Sequence, residues 1–287
     1  MSQVEFNKDG LDVWTEEHRF EVTRERLVCY AEATNDPIEA HLAGDVANPV
    51  FAIVPVFESM LEPALEVVPL SVFARGVHGE QDFRFHRPIR PGDRLVSRSK
   101  MIGWEGLPKG TRAWVFIECR TDEGELVNEQ YLTMFFRGED ASTGNAVGER
   151  APSHSLADKV REQEPVARAV QHIDEDQTFR YAPASGDPVP LHLDEQIAKD
   201  AGLPGIIAHG LCTMAFTSWA LLTEVGGSKV SRLKRLAVRF AKPVLPGQDI
   251  TTTIWNAGSA DGATTYAYET TVGDTVVIKD GLAEIAN

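Results

Sequence analysis

The sequence predicts an α+β architecture in which two tandem antiparallel sheets each wrap around a central helix. Three observations lead there. The chain is written twice: R-F-H-R-P-I-R-P-G-D at 84–93 is answered by R-F-A-K-P-V-L-P-G-Q-D at 239–249. The stretch from His209 to Val225 is apolar nearly all round, as a helix buried on every side must be. Behind it come four segments rich in Val, Ile, Thr and Tyr with Gly or Pro between them, which read as strands. Strands in a run joined by short turns pair antiparallel, with the helix segregated to one face.

Each copy has the same order: a short strand, a short helix, an acid/imidazole loop, a longer helix and four strands. In the first copy, Tyr30 through Asp36 to His41 mirrors Tyr181 through Asp187 to His192, at an offset of 151. Glu58, Glu62 and Glu66 fall four apart, one stripe of a helix, and Pro63 is expected to interrupt that helix after two turns. This describes either a solvated face on a kinked helix or space opened for a substrate tail. The first copy's strands are expected near 80–90, 93–103, 111–121 and 126–137. Gly138–Pro165, rich in Glu, Asp, Ser and Gly, is the expected linker, giving repeats at 1–140 and 166–287 with 141–165 between them.

In the second copy a short helix precedes Gly186, and Asp194 suits the N-cap of a brief helix that Gly202 and Pro204 stop. The long helix follows, then strands at Leu233–Pro243, Asp249–Trp255, Thr264–Thr271 and Thr275–Ile285.

The chemistry concentrates between 181 and 210. Y-A-P-A-S-G-D-P-V-P-L-H places a carboxylate, Asp187, five residues before an imidazole, His192, across a loop stiffened by Ser185, Gly186, Pro188 and Pro190. L-P-G-I-I-A-H-G-L then brings a His-Gly step, His209-Gly210, to the start of the long helix. Taken alone, Ser-Gly-Asp-Pro is ordinary turn chemistry. Together, an acid and an imidazole make a general acid/base pair, and the backbone N–H of Gly210 makes an oxyanion donor. These are the parts needed to move water across a carbon–carbon double bond beside a thioester carbonyl.

The stretch resembles the signature of the MaoC-like, type-2 enoyl-CoA hydratases: aromatic, small residue, Ser-Gly-Asp, any residue, Asn-Pro, aliphatic, His. Val189 departs from it, standing where the family has Asn. The resemblance implies a double hotdog fold and a lyase acting on trans-2-enoyl thioesters with R-stereospecificity, in either direction. The expected catalytic groups are Asp187, His192 and Gly210. Tyr181, Ser185, Gly186 and His209 are expected around the substrate, with Arg239 and Lys242 toward the phosphates of coenzyme A or a carrier arm. Those two belong to a basic row, Arg232, Lys234, Arg235, Arg239 and Lys242, that otherwise reads as a solvated strand edge. In the first copy Val54-Pro55 replaces His209-Gly210. Proline has no N–H, so Asp36 and His41 are read as a decayed, structural copy.

Composition sets the outer bounds. An apolar content of 43% supplies ample core for 287 residues, and no apolar run reaches the ~20 residues that span a bilayer. The N-terminus lacks the layout of a signal peptide, and three widely spaced cysteines fit reduced thiols, so a cytoplasmic protein is expected. A net charge of −15 argues against a nucleic-acid groove or an anionic membrane, while leaving room for an anionic acyl thioester on a local basic patch. Neither a phosphate-loop pattern, a Rossmann fingerprint nor HExxH occurs, so neither a cofactor nor a metal is implied. A homo-oligomer stays open. The rival readings are a non-catalytic hotdog subunit that binds acyl thioesters within a hetero-complex, and a thioesterase.

Overall fold

The computed structural model describes residues 2–73, 75–141 and 145–287, with Ser2 and Gln3 described by backbone alone. Ser142, Thr143 and Gly144, inside the expected linker, lie outside the described residues. Two compact units run across the repeat boundary: Met1–Phe20, Pro55–Arg84 and Arg94–Ser153 form one, and Glu21–Val54, Phe85–Asp93 and His154–Asn287 the other.

The second unit holds a sheet ordered Leu233–Phe240, Thr275–Ala286, Ala263–Val272, Asp249–Ala260, Ala167–His172, with every adjacent pair antiparallel. Against it lies the helix Gly210–Glu224, buried along Leu211–Ser218 and Ala220–Leu222. Its few polar side chains turn their hydroxyls back on the helix: Thr217 Oγ1 donates to the Met214 carbonyl at 2.8 Å and Ser218 Oγ to that of Ala215 at 2.7 Å. Such back-bonding meets a buried hydroxyl within the helix, and Ser218 Oγ also lies 3.4 Å from Asn48 Oδ1. Gln171 Nε2 donates to the Phe216 carbonyl at 2.6 Å, fastening helix to sheet.

The first copy's helix, Arg24–Ala33, joins this unit because its end is capped there. The last carbonyls of any helix lack partners within it. Here Gln177 Nε2 donates to the Ala33 carbonyl (2.6 Å), Arg180 Nη1 to that of Glu32 (3.0 Å) and Trp219 Nε1 to that of Thr34 (3.0 Å). The second half of the linker also docks: Leu156 and Val160 bury against Trp255 and Ala267, and His154 Nδ1 donates to the Asp280 carbonyl at 2.8 Å.

The first unit orders its strands His18–Glu21, Arg94–Leu107, Gly110–Thr121, Leu126–Arg137, Gly76–Phe85. Several strand ends differ from the sequence reading, among them Arg94–Leu107, which runs past 103, and Leu233–Phe240, which stops before Pro243. Gly76–Phe85 stops short of Pro88 and Pro91, which have no N–H to give a ladder. Asp249–Ala260 runs past Trp255 through an irregularity between Asn256 and Gly258.

The expected central helix of the first copy is the main correction. The chain forms a 3-10 segment, Pro49–Val56, then turns, and a short helix follows at Glu62–Val67. Pro63 stands in the first turn of that helix and starts it, because proline's missing N–H costs nothing there. Strand serines replace the lost helical bonds: Ser97 Oγ donates to the Pro55 carbonyl at 3.1 Å, and Ser99 Oγ donates to that of Ser59. Glu58 and Glu62 lie 3.6 and 3.0 Å from His18 and stay solvated, their side chains 87% and 42% exposed. Ala64 is fully buried, and Pro63 and Val67 of the same short helix are buried with it. Ala64→Phe therefore overpacks a filled core and should destabilise by about 1–3 kcal/mol. Urea unfolding measures this, and the relative rates on short and long substrates should stay unchanged.

Candidate active site

The loop that carries Asp187 is set by its entry. The helix Gln177–Ser185 ends at Gly186, whose φ of 80° is left-handed. No atom lies within 4 Å of where a Cβ would sit, so conformation alone calls for glycine here. Ser185 turns inward, its Oγ donating to the Tyr181 carbonyl at 2.9 Å. Asp187 Oδ1 accepts the Val189 N–H at 3.1 Å, an Asx turn closed by backbone. The Val189 side chain is 41% exposed, so this loop is held without the Asn expected at that position. A single 3-10 turn, Pro190–His192, then delivers the imidazole.

Two histidines cross-link this loop to the segment before the long helix. His192 Nδ1 donates to the Ile207 carbonyl at 2.8 Å, and His209 Nε2 donates to the Asp187 carbonyl at 3.2 Å. Each imidazole thus holds the backbone of the other's segment, and the rings stack at 3.9 Å with 25° between planes. Ala208 N–H donates to the Val244 carbonyl at 2.8 Å, tying the segment to the sheet. A carbonyl can only accept, so His192 carries its proton on Nδ1 and presents a bare Nε2. By the same logic His209 is protonated on Nε2, and its buried Nδ1 has no partner among the described residues.

The ligand-bearing atoms of Asp187, His192 and His209 lie within 4.8 Å of one another. An acid and two imidazoles can hold a metal, but these rings lie face on face. Their lone pairs do not converge on the ~2.1 Å bonds that an ion requires. Burial raises the Asp187 carboxyl, against the opposing pull of the Val189 N–H and His192. Burial lowers His192, against the Ile207 carbonyl and the Asp187 charge. His209 is pushed down to about 3 by burial and then by the charge of His192. Gly210, first residue of the helix, has no intrahelical partner for its N–H. A Cβ there would meet the Phe240 ring at 3.2 Å.

The structure gathers Asp187, His192, His209 and Gly210, with Ser185 and Gly186 shaping the loop. Tyr181 is buried behind His209, their ring centroids 4.9 Å apart. Arg239 pairs with Asp280 at 3.3 Å, Arg235 with Glu284 at 3.5 Å, and Arg232 donates to the Ala286 and Gly226 carbonyls. Lys242 is exposed and, among the described residues, unpaired. Three contributors escaped the sequence reading: the Ile207 carbonyl, Asn48 and Tyr30. The repeat offset carried the signal for Tyr30, whose hydroxyl meets that of its counterpart Tyr181 at 3.2 Å.

In the first copy the same acid and imidazole are closed on each other. His41 Nδ1 donates to Asp36 Oδ2 at 2.6 Å, Asn48 Nδ2 donates to the same oxygen at 2.7 Å, and Ile38 N–H reaches Oδ1 at 2.9 Å. His41 is 1% exposed and Asp36 2%, so no water stands between them. Breaking a buried pair leaves an uncompensated polar group, so Asp36→Asn should cost about 3–5 kcal/mol. Thermal unfolding checks this, and the turnover of the folded fraction should change only a few-fold.

A hotdog sheet carrying an acid–imidazole pair at the N-terminus of its buried helix defines the class: a hotdog hydro-lyase. Residues 157–278 match the MaoC like domain and residues 11–127 the FAS1-like, dehydratase domain region. Over 214 residues the chain is 34% identical to the 3-hydroxyacyl-thioester dehydratase Y of Mycobacterium tuberculosis, covering 72% of each. Over 182 residues it is 32% identical to a probable enoyl-CoA hydratase 2 of Dictyostelium discoideum, covering 62% of this chain and 60% of that one. The crystal structure of a MaoC-like dehydratase from Phytophthora capsici superposes with a TM-score of 0.84 at 25% identity, covering 98% of this chain and 99% of that one. The chain belongs to the MaoC-like family of dehydratases and type-2 enoyl-CoA hydratases, with a double hotdog fold.

Proposed function

We propose that the protein hydrates trans-2-enoyl thioesters to (R)-3-hydroxyacyl thioesters, or dehydrates them in the reverse direction, with the acyl chain on coenzyme A or a carrier protein. The observation that carries this reading is the difference between the two copies. Asp36 and His41 close on each other, whereas His192 gives its proton to Ile207 and leaves Nε2 bare toward Asp187. A water that donates one O–H to the Asp187 carboxylate and the other to His192 Nε2 has its lone pair free for C3 of the enoyl group. As the C3–O bond forms, one water proton passes to the pair, with Asp187 as acceptor and His192 as partner. The pair returns a proton to C2. Water supplies the hydroxyl and one hydrogen, the side chains end as they began, and the chemistry requires no cofactor.

Negative charge builds on the thioester oxygen as C3 is attacked. Gly210 N–H, reinforced by the positive end of the helix, is positioned as its donor, which one such group can do by ~3 kcal/mol. Lys242 is the candidate for the phosphates; Arg239 would have to leave Asp280 to share that role. A cytoplasmic setting stays part of this reading, since three widely spaced cysteines fit reduced thiols.

Loss of the enoyl absorbance of crotonyl-CoA without thiol release, and a product oxidised by an R-specific dehydrogenase, are the expected results. Thiol release would mean a thioesterase, and an S product would overturn the stereochemistry. Asp187→Asn and His192→Ala should each remove nearly all hydration, with a double variant little worse than either, since both act on one water.

Gly210→Pro isolates the oxyanion donor. Proline is tolerated at a first helical position, and His209 already has the extended φ of −59° and ψ of 135° that a following proline demands. Circular dichroism should show the helix intact while kcat falls about 10²–10³-fold. Gly210→Ala, which keeps the N–H, reports the steric part alone.

The pH profile follows from the two titrations. Hydration needs both groups unprotonated. Burial raises Asp187 above the ordinary carboxylate value and lowers His192 below the ordinary imidazole value. Hydration should therefore fall toward acid pH, with the His192 limb lying below about 6.5, the ordinary imidazole value. Initial rates across pH 4–8 test this, and a decline beginning above neutrality would contradict it.

A further inference from the structure

His209 is the one buried imidazole at this site whose chemistry the hydration scheme does not use. It is 1% exposed, its Nε2–H holds the Asp187 carbonyl, and one ring face lies 3.9 Å from His192. Tyr181 packs on it at 4.9 Å and is braced by the Tyr30 hydroxyl. Its Nδ1 is buried without a partner among the described residues. Leaving an acceptor unmet is costly, so packing alone would favour an apolar ring here. What the imidazole adds to a phenyl ring is the N–H on Asp187. What it adds to an amide is the flat face against His192. The site uses both.

We propose that His209 is a positioning residue: an imidazole that fixes the His192 ring by stacking and the Asp187 backbone by hydrogen bonding, without touching the reacting atoms. The proposal rests on Asp187 and His192 as the water-holding pair. Neutrality matters because a second cation in the stack would oppose any positive charge gained by His192 during proton transfer. The other titratable groups around His209 are uncharged or already named. The Tyr181 and Tyr30 hydroxyls and the Cys212 thiol are all raised by burial, leaving the Asp187 carboxylate as the one anion facing the stack. The ring also closes the site behind His192. Its loss admits water and relieves the burial that holds His192 low.

Three variants separate the two contributions. His209→Gln keeps a donor without the ring face, His209→Phe keeps the face without the donor, and His209→Ala removes both. With crotonyl-CoA, kcat should fall by about 10-fold for each of the first two and about 10²-fold for Ala, a scale set by small losses of alignment. KM should stay within about two-fold throughout. The acid limb of the rate profile should move to higher pH in the Ala variant, and less in the Gln variant. Nitrogen-15 spectra of the ring should show His192 titrating at higher pH in these variants, a readout independent of activity. If the wild type failed to hydrate crotonyl-CoA, the catalytic reading would fall while these spectra still decided the positioning role.

A rise in KM with kcat retained would make His209 a substrate ligand and overturn the proposal. Unchanged kcat and an unchanged His192 titration, with only a lower melting temperature, would reduce it to packing and overturn it equally. Should the Ala variant fail to fold, the Gln and Phe variants carry the same test.

Discussion

Burying the helix Gly210–Glu224 nearly all round leaves its two ends as the places where its unpaired backbone groups can be met. At the C-terminal end the chain meets them itself: Ser228 N–H reaches back to the Leu222 carbonyl at 2.8 Å through a left-handed Gly227. At the N-terminal end no side chain caps the helix. The loops on either side of that end hold each other through paired imidazoles, leaving the first N–H groups to whatever anion arrives. Site and core are two consequences of one burial. The helix cannot be moved into the sheet without placing a positive backbone terminus beside Asp187 and His192.

The same five-residue step from acid to imidazole has two outcomes in this chain, and competition for one proton separates them. In the first copy Asp36 wins the Nδ1–H of His41, and Asn48 adds a second donor to the same oxygen. Two buried partners in contact are the low-energy arrangement, and nothing can enter between them. In the second copy the Ile207 carbonyl takes the Nδ1–H of His192. Asp187 keeps only its Asx turn and remains partly unsatisfied, which is why burial raises it. A reactive pair here is a pair prevented from satisfying itself.

Legibility followed how local the cause was. Gly186, Asp194 and Gly202 act on backbone within a few residues, so helix ends could be read directly from the letters. The acid–imidazole step and the His-Gly start of the long helix were legible for the same reason. The hold on each imidazole was not, because both acceptors are backbone carbonyls and every residue has one. Pro63 was ambiguous in principle. A proline both starts and stops helices, and the missing bonds came from Ser97 and Ser99, some forty residues away. The docking of the linker's second half was hidden in a different way. Few of its residues are apolar, but Leu156 and Val160 suffice to dock it on Trp255.

Tyr30 and Tyr181 are equivalent residues of the two copies, and their hydroxyls touch. Equivalent atoms meet each other only near a two-fold axis, so the helices that carry them pack as two copies of a symmetric dimer would. In such a dimer each active helix would be braced by its neighbour. Fusion keeps the brace whether or not both sites work. Thr34, just past the end of the first copy's helix, accepts from Trp219 on the active helix, and Asn48, which secures the closed Asp36, also accepts from Ser218. The closed pair of the first copy's acid and imidazole thus anchors, through Asn48, a loop in contact with the second copy's helix. None of these contacts needs an N–H at position 55, where the first copy has proline.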